Sequence, residues 1–179
     1  MSGIWFTATK IFGPSLGEEW GKYCAWANLP QLREIISLDS THHAEELWEL
    51  NAADWQYNIH MDFLTSYFWN LDYFLQRVAH KSGEINILAV CLEPSFEVRD
   101  IFSDRRFAFQ GYDLIGGGMS AINNCGGFEQ AFQPTDVSEV GLFSSYSFAR
   151  EVQQRLRQHY PGESHTDCEL WAIWKMISQ

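Results

Sequence analysis

The chain has 179 residues, a length typical of one globular domain, and 46% of its residues are hydrophobic while 20% are charged. This composition excludes intrinsic disorder and supplies enough apolar side chains for a core without support from disulfides or metals. The net charge of −11 argues against binding to nucleic acids and to anionic membranes, because both depend on basic surfaces.

The cysteines give no sign of a disulfide framework or a structural metal site. They lie far apart and form no CxxC pair, and the histidines show no metal-ligand spacing. The first residues lack the basic and apolar regions of a signal peptide, and no apolar run approaches membrane-spanning length. We therefore expect a cytoplasmic protein with reduced thiols and no cofactor or metal. The cysteines are Cys24, Cys91, Cys125 and Cys168.

The N-terminal half of the chain shows one strand pattern and several helix patterns. Residues 3–12 are rich in β-branched and aromatic side chains and precede a Gly-Pro pair, which predicts a strand. A weak helical pattern follows at 17–28. Apolar spacing and capping residues predict three further helices, namely 30–38 (starting at Pro30), 43–51 (capped by Thr41) and 60–80.

The C-terminal half is predicted to contain most of the sheet. Strand patterns occupy 85–93, 106–115 and 167–177, and an amphipathic helix pattern occupies 148–160. The glycine run 116–118 lacks the spacing and the lysine of a phosphate-binding loop, so it predicts a turn. Because strands and helices do not alternate regularly, the sequence predicts a single α+β domain over 1–179. Its sheet is antiparallel or mixed, with helices packed mainly on one face.

The most unusual feature is an acidic segment with interleaved aromatic residues. Between Arg33 and Arg77 there is no Lys or Arg, whereas Asp and Glu are frequent. Such charge is more easily retained when a basic partner relieves its self-repulsion, and exposed aromatic rings provide anchors for that partner. A solvated acidic face with aromatic residues packed under loops is the alternative. The predicted partner-binding residues are Glu45, Glu46, Glu49, Asp54, Trp55, Asp62, Trp69, Asp72 and Tyr73.

Two short stretches resemble a pattern in small uncharacterised bacterial proteins. They are 109–115 (FQGYDLI) and 120–128 (SAINNCGGF). These proteins are similar in size and composition to immunity proteins of polymorphic and contact-dependent toxin systems. The resemblance implies a non-enzymatic inhibitor, monomeric or homodimeric, that occludes the active site of a cognate basic toxin. Under this hypothesis, reversing the charges of Glu45, Glu46 and Glu49 lowers affinity for the toxin.

Two other classes of protein remain open at the level of the sequence. Cys125 could act as the nucleophile of a cysteine hydrolase, with His165 and Asp167 following in the order that such enzymes use. A turn containing a small, inert cysteine explains the same residues. A scaffold or small-ligand protein is the third class, and it predicts a sizeable apolar pocket.

Overall fold

The computed structural model describes residues 3–62, 65–81, 83–123, 128–163 and 166–177. These residues form strands and helices joined by loops and short 3-10 turns. In chain order the elements are β1 (Trp5–Lys10), α1 (Glu18–Trp26), β2 (Asn58–Asp62), β3 (Thr65–Phe68), α2 (Leu71–Val78), β4 (Ile85–Leu92), β5 (Phe107–Gly116), β6 (Met119–Ser120), α3 (Tyr146–His159) and β7 (Glu169–Met176).

The strands of the described residues form one curled sheet with the order β2–β3–β1–β4–β7–β5–β6. Every pair of neighbouring strands is antiparallel. The β5–β6 hairpin turns through Gly117 and Gly118, whose φ angles of 58° and 77° are readily adopted by glycine. The predicted turn at 116–118 is therefore confirmed.

All three helices of the described chain cover the same face of the sheet. Their buried side chains join one core with inward-facing residues of the central strands, and this confirms the predicted α+β class with helices on one face. The opposite face is covered by loops: the segments around Ile36 and Leu142 pack over Leu88, Val90 and Ile173. The helical residues in the first core include Trp20, Phe74, Val78, Ala149, Val152 and Leu156.

The predicted strands at 3–12, 85–93, 106–115 and 167–177 correspond to β1, β4, β5 and β7. In each strand, alternate side chains enter the two cores, as the two-residue period of a strand requires. The amphipathic helix at 148–160 is confirmed as α3, and the weak pattern at 17–28 contains α1.

The predicted helix over 60–80 is wrong in its first half. The described part of that half belongs to the hairpin of β2 and β3, and the helix α2 begins at Leu71. Tyr67 and Phe68 enter opposite cores, and aromatic and β-branched residues such as these favour strands. The side chain of Asn70 accepts a hydrogen bond from the amide of Tyr73 and thereby caps the helix at its true start.

The predicted helices over 30–38 and 43–51 are also wrong. The first segment is extended: the amide of Ile35 donates to Phe12 and that of Ile36 donates to Val140. These adjacent β-branched residues enter different cores, as successive side chains of an extended segment do. The second segment contains a 3-10 turn at Glu45–Leu47, and the preceding turn at Ser40–His42 is capped by Asp39, not by Thr41.

Candidate functional site

Arg77 organises the acidic segment from the last turn of α2. Its Nη2 atom donates to the backbone oxygens of Glu46 at 2.9 Å and Glu49 at 3.2 Å. Its Nε atom lies 3.3 Å from Oδ2 of Asp54. One guanidinium group therefore fixes the segment at three points, a role suited to its rigid fork of donors.

Asp54 is the buried partner of this guanidinium group. It is 0% exposed, and its carboxylate also accepts from the amide of Asn51 at 2.8 Å and from the hydroxyl of Tyr73 at 2.7 Å. Direct contact with a partner, as predicted from the sequence, is therefore excluded for the Asp54 side chain. A buried charge requires such partners. By binding them, the Asp54 carboxylate holds together the residues on which the exposed surface rests.

Tyr73 is half-buried, and its hydroxyl is committed to the same network. Burial and the neighbouring Asp54 carboxylate raise the pKa of Tyr73 to about 12, so the hydroxyl is a neutral donor at physiological pH. Its ring stacks on Tyr57 with 4.3 Å between centroids, and Tyr57 contacts Trp69 at 5.4 Å. Through these ring contacts, the hydrogen-bonded Tyr73 helps to fix the position of Trp69 at the surface.

Three tryptophans project from this rigid base. Trp48, Trp55 and Trp69 are 54%, 62% and 52% exposed. The indole of Trp69 donates to the backbone oxygen of Gln56, and the Trp48 ring lies 5.2 Å from Nζ of Lys10. Together the indoles expose on the order of 400 Å² of mainly apolar area, which is comparable to the largest apolar patch of a typical monomer, a feature that is often functional. We define the acidic aromatic surface as Glu45, Trp48, Glu49, Trp55, Trp69 and Asp72.

Neutralisation of the acidic segment is more complete than its sequence suggests. Basic side chains from other parts of the chain reach it: Lys10 pairs with Glu45 at 2.9 Å, and Lys81 pairs with Glu46 at 3.1 Å. Glu49 and Asp72 are exposed and have no ion-pair partner within 4 Å among the described residues. Within the described part of the chain, Glu49 therefore keeps a negative charge with no cation at ion-pair distance. The charge of Asp72 acts on Arg106, whose pKa is raised first by its hydrogen bond to Asp104 and further by the charges of Asp104 and Asp72.

Contacts of Arg77 and Asp54 join several of the predicted contact residues: Arg77 binds Glu46, Glu49 and Asp54, and Asp54 binds Tyr73. Glu45, Glu49, Trp55, Trp69 and Asp72 are exposed. Glu46 is largely covered by its pairing with Lys81, with 18% of its side chain exposed. For Asp62 the structure places the backbone at the end of β2, while its side chain lies outside the described residues. Trp48 is an additional member that the sequence analysis did not select.

Of the three residues of the alternative cysteine-hydrolase site, the structure describes only Asp167. Cys125 and His165 lie outside the described residues. The Asp167 side chain is 96% exposed, and its carboxylate lies 3.5 Å from Arg157. Asp167 borders a polar cavity of about 400 Å³, which Glu93 also lines. Glu93 adopts a left-handed backbone conformation, with a φ of 45°. The Glu93 carboxylate is bound by Arg150, Gln153 and the amide of Leu170, an arrangement that joins α3 to the sheet.

Sequence reasoning missed a buried polar network centred on Asp113. This carboxylate accepts from the hydroxyls of Ser37 at 2.6 Å and Ser120 at 2.7 Å and from the amides of Leu38 and Leu114. The network stabilises the extended segment that covers the second core. Its signal in the sequence is an acidic residue within the otherwise apolar end of β5, at a position that faces the interior.

Replacement of Asp113 by asparagine is expected to change how stability depends on pH. Burial raises the pKa of Asp113 to about 6 from an ordinary value of 3.8, against the effect of its hydrogen bonds. Because the folded state favours the protonated carboxyl, the contribution of this group to the free energy of unfolding is fully present below pH 3.8. It is lost as the pH rises through 6, a change of about 3 kcal/mol. Asparagine does not titrate, so the free energy of unfolding of Asp113→Asn relative to wild type should rise by this amount between pH 3 and 7.

Urea denaturation across this pH range measures the effect, and exposed Asp167→Asn serves as a control with little expected change. A constant offset caused by the new amide does not affect the comparison. A stability difference between Asp113→Asn and wild type that is independent of pH would show that the carboxyl is not perturbed.

The site defines an α+β protein with a rigid, partly acidic surface from which tryptophans project. Among the described residues, no group of His, Cys, Asp and Glu could hold a metal ion, and no helix could cross a membrane. Comparison with known proteins found no matching family model, curated protein or solved structure.

Proposed function

We propose that this protein binds a basic protein through the acidic aromatic surface and neutralises it. The observation that carries the proposal is the exposure of three tryptophans around a buried Asp54–Arg77 pair. The mode of action is that of an immunity protein, which covers the active site of a cognate toxin domain. No catalytic step is assigned to the chain.

The tryptophans supply the contact energy in this proposal. Tryptophan is enriched among the residues that dominate binding energy at protein interfaces. The ring contacts of Trp69 restrain the surface before binding, and so do the Arg77 contacts with Glu46, Glu49 and Asp54, which lie next to Trp48 and Trp55 in the sequence. Pre-ordered side chains lose less conformational entropy on association, so more of their contact energy appears as affinity.

The charge selects the partner and accelerates encounter. The chain carries a net charge of −11, and among the described residues neither Glu49 nor Asp72 has an ion-pair partner within 4 Å. An acidic protein attracts a basic one over a Debye length, and this raises the association rate more than the final affinity. Toxin domains that act on nucleic acids have basic active sites, and these match such a surface.

The sequence resemblance to immunity-type proteins contributes to this proposal through the fold. Residues 109–115 lie in β5, and the described part of 120–128 begins at the last residue of β6, with Tyr112, Leu114 and Ile122 in the first core. These motif residues stabilise the sheet. The partner contacts belong to the separate acidic aromatic surface.

Capture experiments with matched variants test the proposal. We expect immobilised wild type to retain a basic protein from a lysate of the source organism at low salt. Glu45→Lys/Glu49→Lys should lose it because like charges then face each other. Glu19→Lys/Glu163→Lys has the same net charge, with both changes at exposed sites elsewhere, and should retain it. Equal retention on all three proteins, or no specific retention on wild type, would contradict the proposal.

A further inference from the structure

A second polar site lies where the chain following β1 meets α1 and the turn at Ser40–His42. A cavity of about 190 Å³ opens there, with the lining residues Phe12, Tyr23, Asp39, Thr41, His42 and Asn123. It shares no residue with the acidic aromatic surface. An inference about its occupant is therefore independent of the proposed function.

His42 carries the unused hydrogen-bonding groups of this cavity. The residue is 8% exposed, and its ring packs edge-on against Phe12 with 4.9 Å between centroids. Within the described chain, neither ring nitrogen takes part in a hydrogen bond. Burial lowers the pKa of His42, while Asp39 opposes and Lys10 adds to this effect, so the ring is neutral at pH 7. A neutral imidazole offers one donor and one acceptor, and since neither has a protein partner among the described residues, both are available to an occupant of the cavity.

Asp39 supplies a negative charge beside that imidazole. Its Oδ1 atom accepts from the amide and the hydroxyl of Thr41, whereas Oδ2 accepts from the amide of Ser120 alone among the described residues. A carboxylate oxygen can accept two hydrogen bonds, so Oδ2 retains acceptor capacity. The occupant that suits this carboxylate is a cation with N–H donors.

The remaining walls favour a flat cation. Phe12 and Tyr23 are in edge contact, with their ring centroids 5.4 Å apart. Burial, with smaller contributions from the charges of Asp39 and Asp113, raises the pKa of the Tyr23 hydroxyl, which donates to the backbone oxygen of Asn123 at 2.5 Å. The nearby Lys10 is paired with Glu45. Aromatic faces attract cations, and the planar guanidinium group stacks on them more readily than an ammonium group does.

We propose that the cavity at Asp39 and His42 binds a guanidinium group. One N–H edge binds Oδ2 of Asp39, another N–H binds the unprotonated nitrogen of His42, and the plane lies against Phe12. The volume accommodates this head group of a small compound or of an arginine side chain. No bond is made or broken, so the assignment is a binding site and not a catalytic one.

Side-chain NMR of ¹⁵N-labelled protein with methylguanidinium chloride tests the proposal. The His42 ring signals should move saturably, while equal sodium chloride leaves them in place. Phe12→Leu keeps an apolar wall and should weaken binding by about 3-fold because cation–π contact is lost. Phe96→Leu, at an exposed ring elsewhere, should not alter it. Asp39→Asn, if it folds, should weaken binding by about 10-fold or more.

A blocked arginine, N-acetyl-arginine amide, separates the two sources of the group. Binding of both compounds indicates a site open to an arginine side chain, and binding of methylguanidinium alone indicates a free small guanidine. The proposal is overturned if methylguanidinium produces no saturable shift at His42. It is also overturned if Phe12→Leu binds methylguanidinium as well as wild type does.

Discussion

Replacing Asp54 by alanine is expected to lower the free energy of unfolding by about 3–5 kcal/mol. The change removes the carboxylate that pairs with Arg77 and accepts from Tyr73 and Asn51. The guanidinium side chain is then left 20% exposed without its ionic partner, and the Tyr73 hydroxyl loses its acceptor. Breaking such a pair from one side costs more than the pair itself contributes, because a poorly solvated charge remains.

Urea denaturation of Asp54→Ala measures this loss, and Glu49→Ala is the matched control. Glu49 belongs to the same segment, but its side chain is exposed, so its removal should change stability by less than about 0.5 kcal/mol. Asp54→Ala should also weaken partner binding, because the substitution removes the contacts that hold the acidic segment in place. Similar small effects of both substitutions would show that the Asp54–Arg77 pair does not organise the segment.

Removing the indoles of Trp48 and Trp55 together is expected to reduce affinity for the basic partner by far more than 30-fold. Each truncation should cost about 2 kcal/mol or more, roughly a 30-fold change, if the two residues are binding anchors. The fold should be preserved because both side chains are more than half exposed. Isothermal titration calorimetry with the captured partner measures the loss.

Trp26→Ala is the control for the effect of losing an indole. Trp26 is 57% exposed, comparable to Trp48 and Trp55, but it lies at the end of α1. We expect its removal to leave affinity unchanged. Equal losses for the Trp26 variant and the Trp48/Trp55 variant would move the interface away from the acidic aromatic surface.

The strands were predictable because their signal is local. In β1, β4, β5 and β7, β-branched and aromatic residues alternate between two cores, and breakers such as Gly13 follow them. The helix assigned to 60–80 shows the limit of the same reasoning. Phe68, Leu71, Leu75 and Val78 have helical spacing, but the first of these residues ends a strand, and the cap at Asn70 separates it from α2.

The sequence predicted which residue types make up the candidate site, but it did not predict which of its acidic residues are paired or buried. The run of acids and aromatics between Arg33 and Arg77 is visible in the sequence. The pairing of Glu45 with Lys10 and the burial of Asp54 are not, because they depend on contacts between residues 19 to 35 positions apart. The cavity at Asp39 and His42 likewise depends on the approach of four separate segments, at Phe12, Tyr23, 39–42 and Asn123.

The salt dependence of the association rate tests the central claim most directly. Stopped-flow tryptophan fluorescence with the captured partner should show the wild-type rate constant falling about 10-fold or more between about 20 and 500 mM NaCl. Glu45→Gln/Glu49→Gln should associate more slowly at low salt and show a shallower dependence. A rate constant independent of salt, or identical slopes for wild type and variant, would contradict binding through the acidic aromatic surface.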